Sequence, residues 1–247
     1  MYYRALLYHD LVDPLGISGF SRDQASSYKL TKENFIRQIK YCFEFISNES
    51  FHSRLRYVED NNLLFTFDDG GSSMLDIADI LESFGFYGYF FISTSFIGKN
   101  GFLNKPQIKE LHDRGHIVGS HSHSHPHIFS KLSFDKMKHE WETSKDILES
   151  ILSYEVDSCS LPGGEMNKNG ISTAGLFFKN FFCSEPYIRP YYSGNILILG
   201  RISIQKQHSH KYVLDVLKSR FLIKQRIIRI FKNIIKKFYY LNKGPYD

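Results

Sequence analysis

The chain has 247 residues, 42% hydrophobic and 23% charged, with a net charge of +5. That is the profile of a globular protein able to bury one sizeable core. Three scattered cysteines, Cys42, Cys159 and Cys183, with no Cys-x-x-Cys pair, exclude a disulfide framework and a thiolate zinc site.

Residues 3–8 alternate weakly and read as a strand ending at Tyr8-His9-Asp10. A Gly-, Ser-, Asp- and Pro-rich loop follows over 11–30. Thr31 is placed to cap a helix whose apolar face carries Phe35, Ile39, Cys42 and Phe43. After a polar stretch, residues 63–67 form a buried strand that stops at two acids and a glycine, Asp68-Asp69-Gly70. Helical spacing at 74, 77, 78 and 81 is ended by Gly85. Residues 87–92 read as an aromatic strand, and Pro106 opens a helix closed by Gly115. A short strand over 117–119 runs into Ser120-His121-Ser122-His123-Ser124-His125-Pro126-His127. Ser133 caps a long helix, and further strands are expected at 156–161, 180–184, 195–199 and 202–204.

Strands and helices alternating in this way predict βα units and a largely parallel sheet. Functional residues in such sheets gather at the C-terminal strand ends. Four polar clusters fall there: Asp68-Asp69, His121–His125, Pro162-Gly163-Gly164 and Ser184-Glu185.

Two adjacent carboxylates repel one another, and a divalent cation bound by one of them relieves the conflict. His121 and His125, at i and i+4, are expected on one side of a helical turn, a spacing that suits one metal ion. Asp69, His121 and His125 would leave coordination positions open for catalysis. His123 and His127 are expected to point away.

Thr66-Phe67-Asp68-Asp69-Gly70 and His121-Ser122-His123-Ser124-His125-Pro126 together resemble the first two motifs of the polysaccharide deacetylases (NodB homology, carbohydrate esterase family 4). Tyr8-His9 resembles the Tyr-His ahead of the core in many members. The resemblance implies an α/β fold, a distorted seven-stranded (β/α) barrel, over residues 1–210. It implies a metal-dependent hydrolase removing N-acetyl, or O-acetyl, groups from an amino sugar in a glycan or glycan precursor. Asp68 becomes the general base on a metal-bound water. Asp69, His121 and His125 become ligands of a divalent metal, zinc first among them. The third motif, usually Arg-x-Pro-x-Gly, reads here Ser160-Leu161-Pro162-Gly163-Gly164, so Ser160 stands where an arginine is expected. Pro162, Gly163 and Gly164 would still shape the groove and offer an N–H to the oxyanion. Glu185 is the candidate acid of the fourth motif and His208 the candidate general acid of the fifth, with His9 as a further histidine for the cleft. Two alternatives stand beside this reading: another metal-dependent amidase or phosphohydrolase with the same Asp-His-His site, and a non-catalytic carbohydrate-binding descendant.

Residues 211–247 hold ten Lys/Arg against two acids, a net +8, which leaves the first 210 residues at −3. Ile227, Phe231, Ile234 and Phe238 form an apolar line, so the tail is expected to be a basic amphipathic helix suited to peripheral membrane contact through 213–238. No nucleic-acid motif accompanies it. With no run of about 18 apolar residues and no apolar leader, the expected location is the cytoplasm, peripheral to the inner membrane face.

Overall fold

The computed structural model describes residues 3–12, 17–21, 23–48, 62–186, 189–218 and 231. The core of the fold is a set of parallel strands. β1 (Tyr3–Tyr8), β2 (Asn62–Phe67), β3 (Gly88–Ile92), β4 (Ile117–Ser120), β5 (Ser158–Ser160) and β6 (Asn180–Cys183) pair in that order. β7 (Tyr191–Ser193) and β8 (Ile196–Gly200) form an antiparallel hairpin across Gly194-Asn195, and β8 pairs in parallel with β6. β9 (Ile202–Ser203) pairs with β1. The sheet order is therefore β7-β8-β6-β5-β4-β3-β2-β1-β9.

Only Arg201 separates β8 from β9, so one continuous segment touches both β6 and β1 and draws the two sides of the sheet together. The nine strands found among the described residues differ from the seven expected for two reasons. Arg201 interrupts the last parallel strand, and the Gly194-Asn195 turn adds an antiparallel strand outside it. Gly194 has φ 63°, the left-handed conformation that such two-residue hairpins favour.

Helices cover the outer face. They are α1 (Asp23–Ser26), α2 (Lys32–Asn48), α3 (Met74–Ser83), α4 (Lys105–Asp113), α5 (Phe134–Leu152), α6 (Lys168–Ala174) and α7 (His210–Leu217). Their boundaries follow local chemistry. The Thr31 hydroxyl accepts from Asn34 N at the start of α2. Asn104 and Gln107 form a reciprocal capping box at α4, just ahead of Pro106. The Ser133 hydroxyl accepts from Lys136 N at α5.

Period-2 alternation sorts the strand residues. Leu63, Phe65 and Phe67 join the large core beneath the helices, with Phe35, Met74, Ile77, Leu111, Trp141 and Leu148. The opposite face carries a second cluster of Tyr3, Ala5, Leu64, Tyr89, Phe91, Phe182 and Leu199. Burial of each such large side chain contributes about 1.5–3 kcal/mol. Thr66 and Asp68 continue the line of Leu64, and Arg201 continues that of Leu199. The inner face thus changes from aromatic to polar toward the strand ends.

The junction expected between the barrel over 1–210 and the basic tail over 211–247 falls within α7. That helix buries Val213, Val216 and Leu217 and packs against α2. The first apolar residues of the 213–238 stretch therefore face protein. The rest of the expected tail helix, apart from Phe231, lies outside the described residues. Among the described residues, no helix is long and apolar enough to cross a membrane.

Candidate active site

The site is built at the C-terminal ends of β2, β4, β5 and β8. Asp68 and Asp69 follow β2, and both are buried, at 3% and 6% exposure. Asp69 takes φ 84°, rare for a non-glycine residue, and turns the chain so that the two neighbouring carboxylates meet different partners. Main-chain bonds hold the turn: Ser93 N donates to Asp69 O at 3.2 Å and Leu103 N to Gly70 O at 3.0 Å.

Asp69 Oδ1 lies 3.4 Å from Nε2 of both His121 and His125. The ligand atoms of the three residues all fall within 4.8 Å of one another. The two histidines converge without the helical turn expected from their spacing. Residues 121–128 form an irregular loop in which Ser122 (φ 63°) and His125 (φ 52°) adopt left-handed conformations that bend the chain back on itself.

The hydrogen bonding of His121 tests whether a cation suits this set. Its Nδ1 lies 2.9 Å from the Ser160 carbonyl oxygen, which can only accept, so Nδ1 carries the proton. In the neutral imidazole, Nε2 is then a lone pair aimed at the Asp69 carboxylate, an arrangement that a cation between them satisfies. One carboxylate and two imidazoles form an N/O donor set that suits zinc and its first-row neighbours. Burial works against charge on His121, yet the Asp68 and Asp69 carboxylates outweigh it and raise its pKa. Burial likewise opposes ionisation of Asp69, but hydrogen bonds donated by His121, once it is protonated at Nε2 as well, and by His125 hold it well below the ordinary carboxylate range.

Asp68 has a separate partner that sequence reasoning missed. Arg201, 1% exposed, forms a bidentate pair with it: Nη1 to Oδ1 at 2.8 Å and Nη2 to Oδ2 at 2.9 Å. The guanidinium also donates to Ser160 Oγ (2.7 Å), Thr66 Oγ1 (3.3 Å) and the Cys183 carbonyl (3.2 Å). Each of its five N–H groups therefore has an acceptor, the condition under which a buried guanidinium is tolerated. Its plane lies over Phe91 and Phe182, with Cζ 5.6 and 5.9 Å from their ring centres.

Ser160 belongs to this arrangement. It accepts from Arg201 and donates to Asp68 Oδ2 at 2.9 Å. The arginine expected at position 160 is thus supplied by the β8–β9 junction, and a small hydroxyl at 160 accommodates the incoming guanidinium. Burial would raise the Asp68 pKa, but Arg201 and His121 outweigh it and keep the carboxylate ionised. The sequence signal was in-phase alternation of Leu197, Leu199 and Arg201, a charge on the inner face of an apolar strand.

The remaining candidates are distributed around this pair. His9 follows β1 close enough to Asp69, Asp68 and His121 for their charges to bear on it. Its ring packs on Tyr28, with centroids 4.6 Å apart, and its Nδ1 is buried without a partner. Burial pushes its pKa down against the pull of both carboxylates. His208 lies on the helical side: Gln205 N donates to its Nδ1, Tyr212 stacks on its ring at 3.8 Å, and its carbonyl accepts from Gln38 and Asn34 of α2. Pro162, Gly163 and Gly164 form a tight turn beyond β5, with both glycines at φ 67°. Glu185 sits half-buried on the bend after β6. His123 bonds Thr94 Oγ1 at 3.0 Å, away from the three-ligand cluster.

The loop over 17–20 closes one wall. Asp10 accepts from the hydroxyls of Ser18 (2.7 Å) and Ser73 (2.8 Å), which ties this loop to the Asp-Asp-Gly turn. Burial raises the Asp10 pKa to about 6. Gly71 is required beside it, because a Cβ there would lie 2.0 Å from Asp10 Oδ1. Phe20 then packs on His125, Phe96 and Phe102, with ring centres 4.8–5.1 Å apart, giving the cluster an apolar flank.

Known proteins resemble this chain in both sequence and fold. The sequence profile of the polysaccharide deacetylase family matches residues 56–176, which include both acids and both histidines and stop before Arg201. A peptidoglycan-N-acetylglucosamine deacetylase of Bacillus cereus is 27% identical over 111 residues, 44% of this chain and 38% of that protein. PgdA, a peptidoglycan-N-acetylglucosamine deacetylase of Listeria monocytogenes, is 29% identical over 119 residues, 47% of this chain and 24% of that protein. The chain therefore aligns with well under half the length of these relatives. Among solved structures, a polysaccharide deacetylase from Bacillus cereus superposes with a TM-score of 0.73 at 17% identity, over 88% of this chain and 69% of that one. The Streptococcus pyogenes deacetylase PplD, solved in complex with acetate, gives 0.68 at 20% identity over 88% and 98%. With the two motifs, the profile match and the shared fold in agreement, this chain belongs to the polysaccharide deacetylase family.

Proposed function

We propose that this protein is a metal-dependent hydrolase that removes acetyl groups from an amino sugar in a glycan or glycan precursor. The observation that carries the reading is the division of labour between two adjacent buried acids. Asp69 joins His121 and His125, while Asp68 is held ionised by Arg201 a few ångströms away. The relatives named for N-acetylglucosamine in peptidoglycan support an N-acetylated sugar as the substrate class.

A metal held by Asp69, His121 and His125, zinc first among the candidates, would supply a Lewis acid for the acyl carbonyl. Asp68 accepts the proton of the attacking water, a task that requires the ionised carboxylate that Arg201 maintains. The turn over 162–164 is the candidate source of a backbone N–H for the developing oxyanion. His9 is the candidate donor of a proton to the leaving amine. Its depressed pKa makes its protonated form a stronger acid than ordinary imidazolium.

Replacing His9 with Gln is expected to lower kcat by about 10²-fold or more, whereas His208→Gln is expected to stay within a few-fold of wild type. Steady-state acetate release decides the assignment, and the reverse ranking would return the role to His208. A binding-only descendant is disfavoured because the position left by the expected arginine is filled by Arg201. A panel of acetylated oligosaccharides, acetylated lipid- and nucleotide-linked sugars, simple amides and phosphate monoesters tests the substrate class. Release confined to the acetylated sugars supports the proposal. Turnover of the phosphate esters or simple amides alone would assign the site to another hydrolase.

A further inference from the structure

The loop that brings His121 and His125 together is strained; the N–H groups of Thr94 and Ser95 hold its carbonyls from one side, and α5 restrains it from the other. Two non-glycine residues in five, Ser122 and His125, have positive φ. Such a conformation is unfavourable for a residue with a Cβ and persists only where its surroundings enforce it. Glu140 reaches into the middle of the bend. Its Oε2 accepts from the main-chain N–H of His123 at 2.9 Å and of Ser124 at 2.7 Å, and its Oε1 accepts from Ser124 Oγ at 2.5 Å. Two successive N–H groups pointing at one carboxylate oxygen form an anion-binding concavity, and charge-assisted bonds of this kind are the strong ones.

One turn further along α5, Ser144 accepts from Ser120 Oγ at 2.8 Å, and that oxygen in turn accepts from Ser122 N at 3.1 Å. Glu140 and Ser144 flank Trp141 on the same side of the helix as Met137. The helix thus fixes the loop at its entry and at its centre, between the two histidines.

We propose that Glu140 is a positioning residue for the metal centre: its carboxylate holds the loop in the conformation in which the His121 and His125 imidazoles converge on Asp69. This rests on the reading of Asp69, His121 and His125 as metal ligands. The bonds of Glu140 to the loop run to residues 123 and 124 and not to the ligand side chains of His121 and His125, so its effect is transmitted through those two intervening residues.

Titration of metal-stripped full-length protein with cobalt(II), followed by its visible absorption, tests the proposal without any turnover. Glu140→Ala is expected to weaken cobalt affinity by about 10–100-fold, the usual loss when a group orienting a metal ligand is removed. It is also expected to alter the band positions and intensities. Glu140→Gln keeps the shape and one acceptor and is expected to fall between Glu140→Ala and wild type; it decides the question if the alanine variant does not fold. Glu142→Ala, an exposed change on the same helix, is expected to match wild type. Wild-type affinity and spectrum in both Glu140 variants would overturn the role of Glu140 while leaving the metal site standing. Failure of the wild-type protein itself to bind cobalt or zinc would instead overturn the ligand assignment on which the role depends.

Discussion

Arg201→Met is expected to reduce kcat by about 10²-fold or more while leaving metal binding largely intact. In the wild-type protein Asp68 receives two bonds from Arg201 and one from Ser160, all below 3 Å. Without the guanidinium the carboxylate stays buried, keeping the Ser160 hydroxyl and the more distant His121 Nε2 at 3.9 Å but losing its largest counter-charge, and desolvation then drives its pKa upward. A base whose pKa rises needs a higher pH to ionise, so the acidic limb of the pH–rate profile is expected to move to higher pH. Removing one partner of a buried pair costs about 3–5 kcal/mol of stability, because it strands the other charge. Thermal unfolding of Asp68→Asn, Arg201→Met and the double variant should therefore show non-additivity, the double variant losing less than the two singles together. Arg201→Lys retains one charge but not the planar fork that serves five acceptors, and only partial recovery is expected. A fully active Arg201→Met enzyme with an unmoved pH profile would contradict this role.

The second expected result separates the two neighbouring acids. Asp68→Asn keeps Asp69, His121 and His125 and should still bind roughly one zinc per chain, as a single three-ligand site allows. Its kcat should fall by about 10²–10⁴-fold, the usual contribution of a general base. Asp69→Ala removes the carboxylate that both imidazoles approach at 3.4 Å. Its metal affinity should fall by more than the ~10–100-fold typical of losing a group that only orients a ligand, and activity should fall with it. Zinc content after dialysis, measured beside acetate release, distinguishes the two. Loss of zinc from Asp68→Asn with zinc retained by Asp69→Ala would invert the assignment.

Much of this site was legible because strand chemistry is local. An apolar run buried on both faces and ending in Asp68-Asp69 marks a parallel strand whose C-terminal end carries function. The histidine pair was also legible, but the way it converges was not. Spacing of four suggested a helical turn, whereas the chain achieves convergence through positive φ at a serine and a histidine, residue types that do not announce that conformation. Arg201 escaped notice because its partner lies 133 residues earlier, and only the sheet topology brings β8 and β9 beside the end of β2. Its position in phase with Leu197 and Leu199 was the available clue. The β7–β8 hairpin carried a clue as well, in the two-residue Gly194-Asn195 turn. His208 illustrates the converse: a histidine at a plausible point in the chain is turned by α2 and Tyr212 to the helical side.

Metal-dependent deacetylation is tested most directly by acetate release from N-acetylated oligosaccharides, comparing protein stripped of metal by chelation with the same protein reloaded with zinc. It predicts no release above background from the stripped protein and recovery on reloading, saturating at roughly one zinc per chain. Equal release from the stripped and reloaded protein would contradict it.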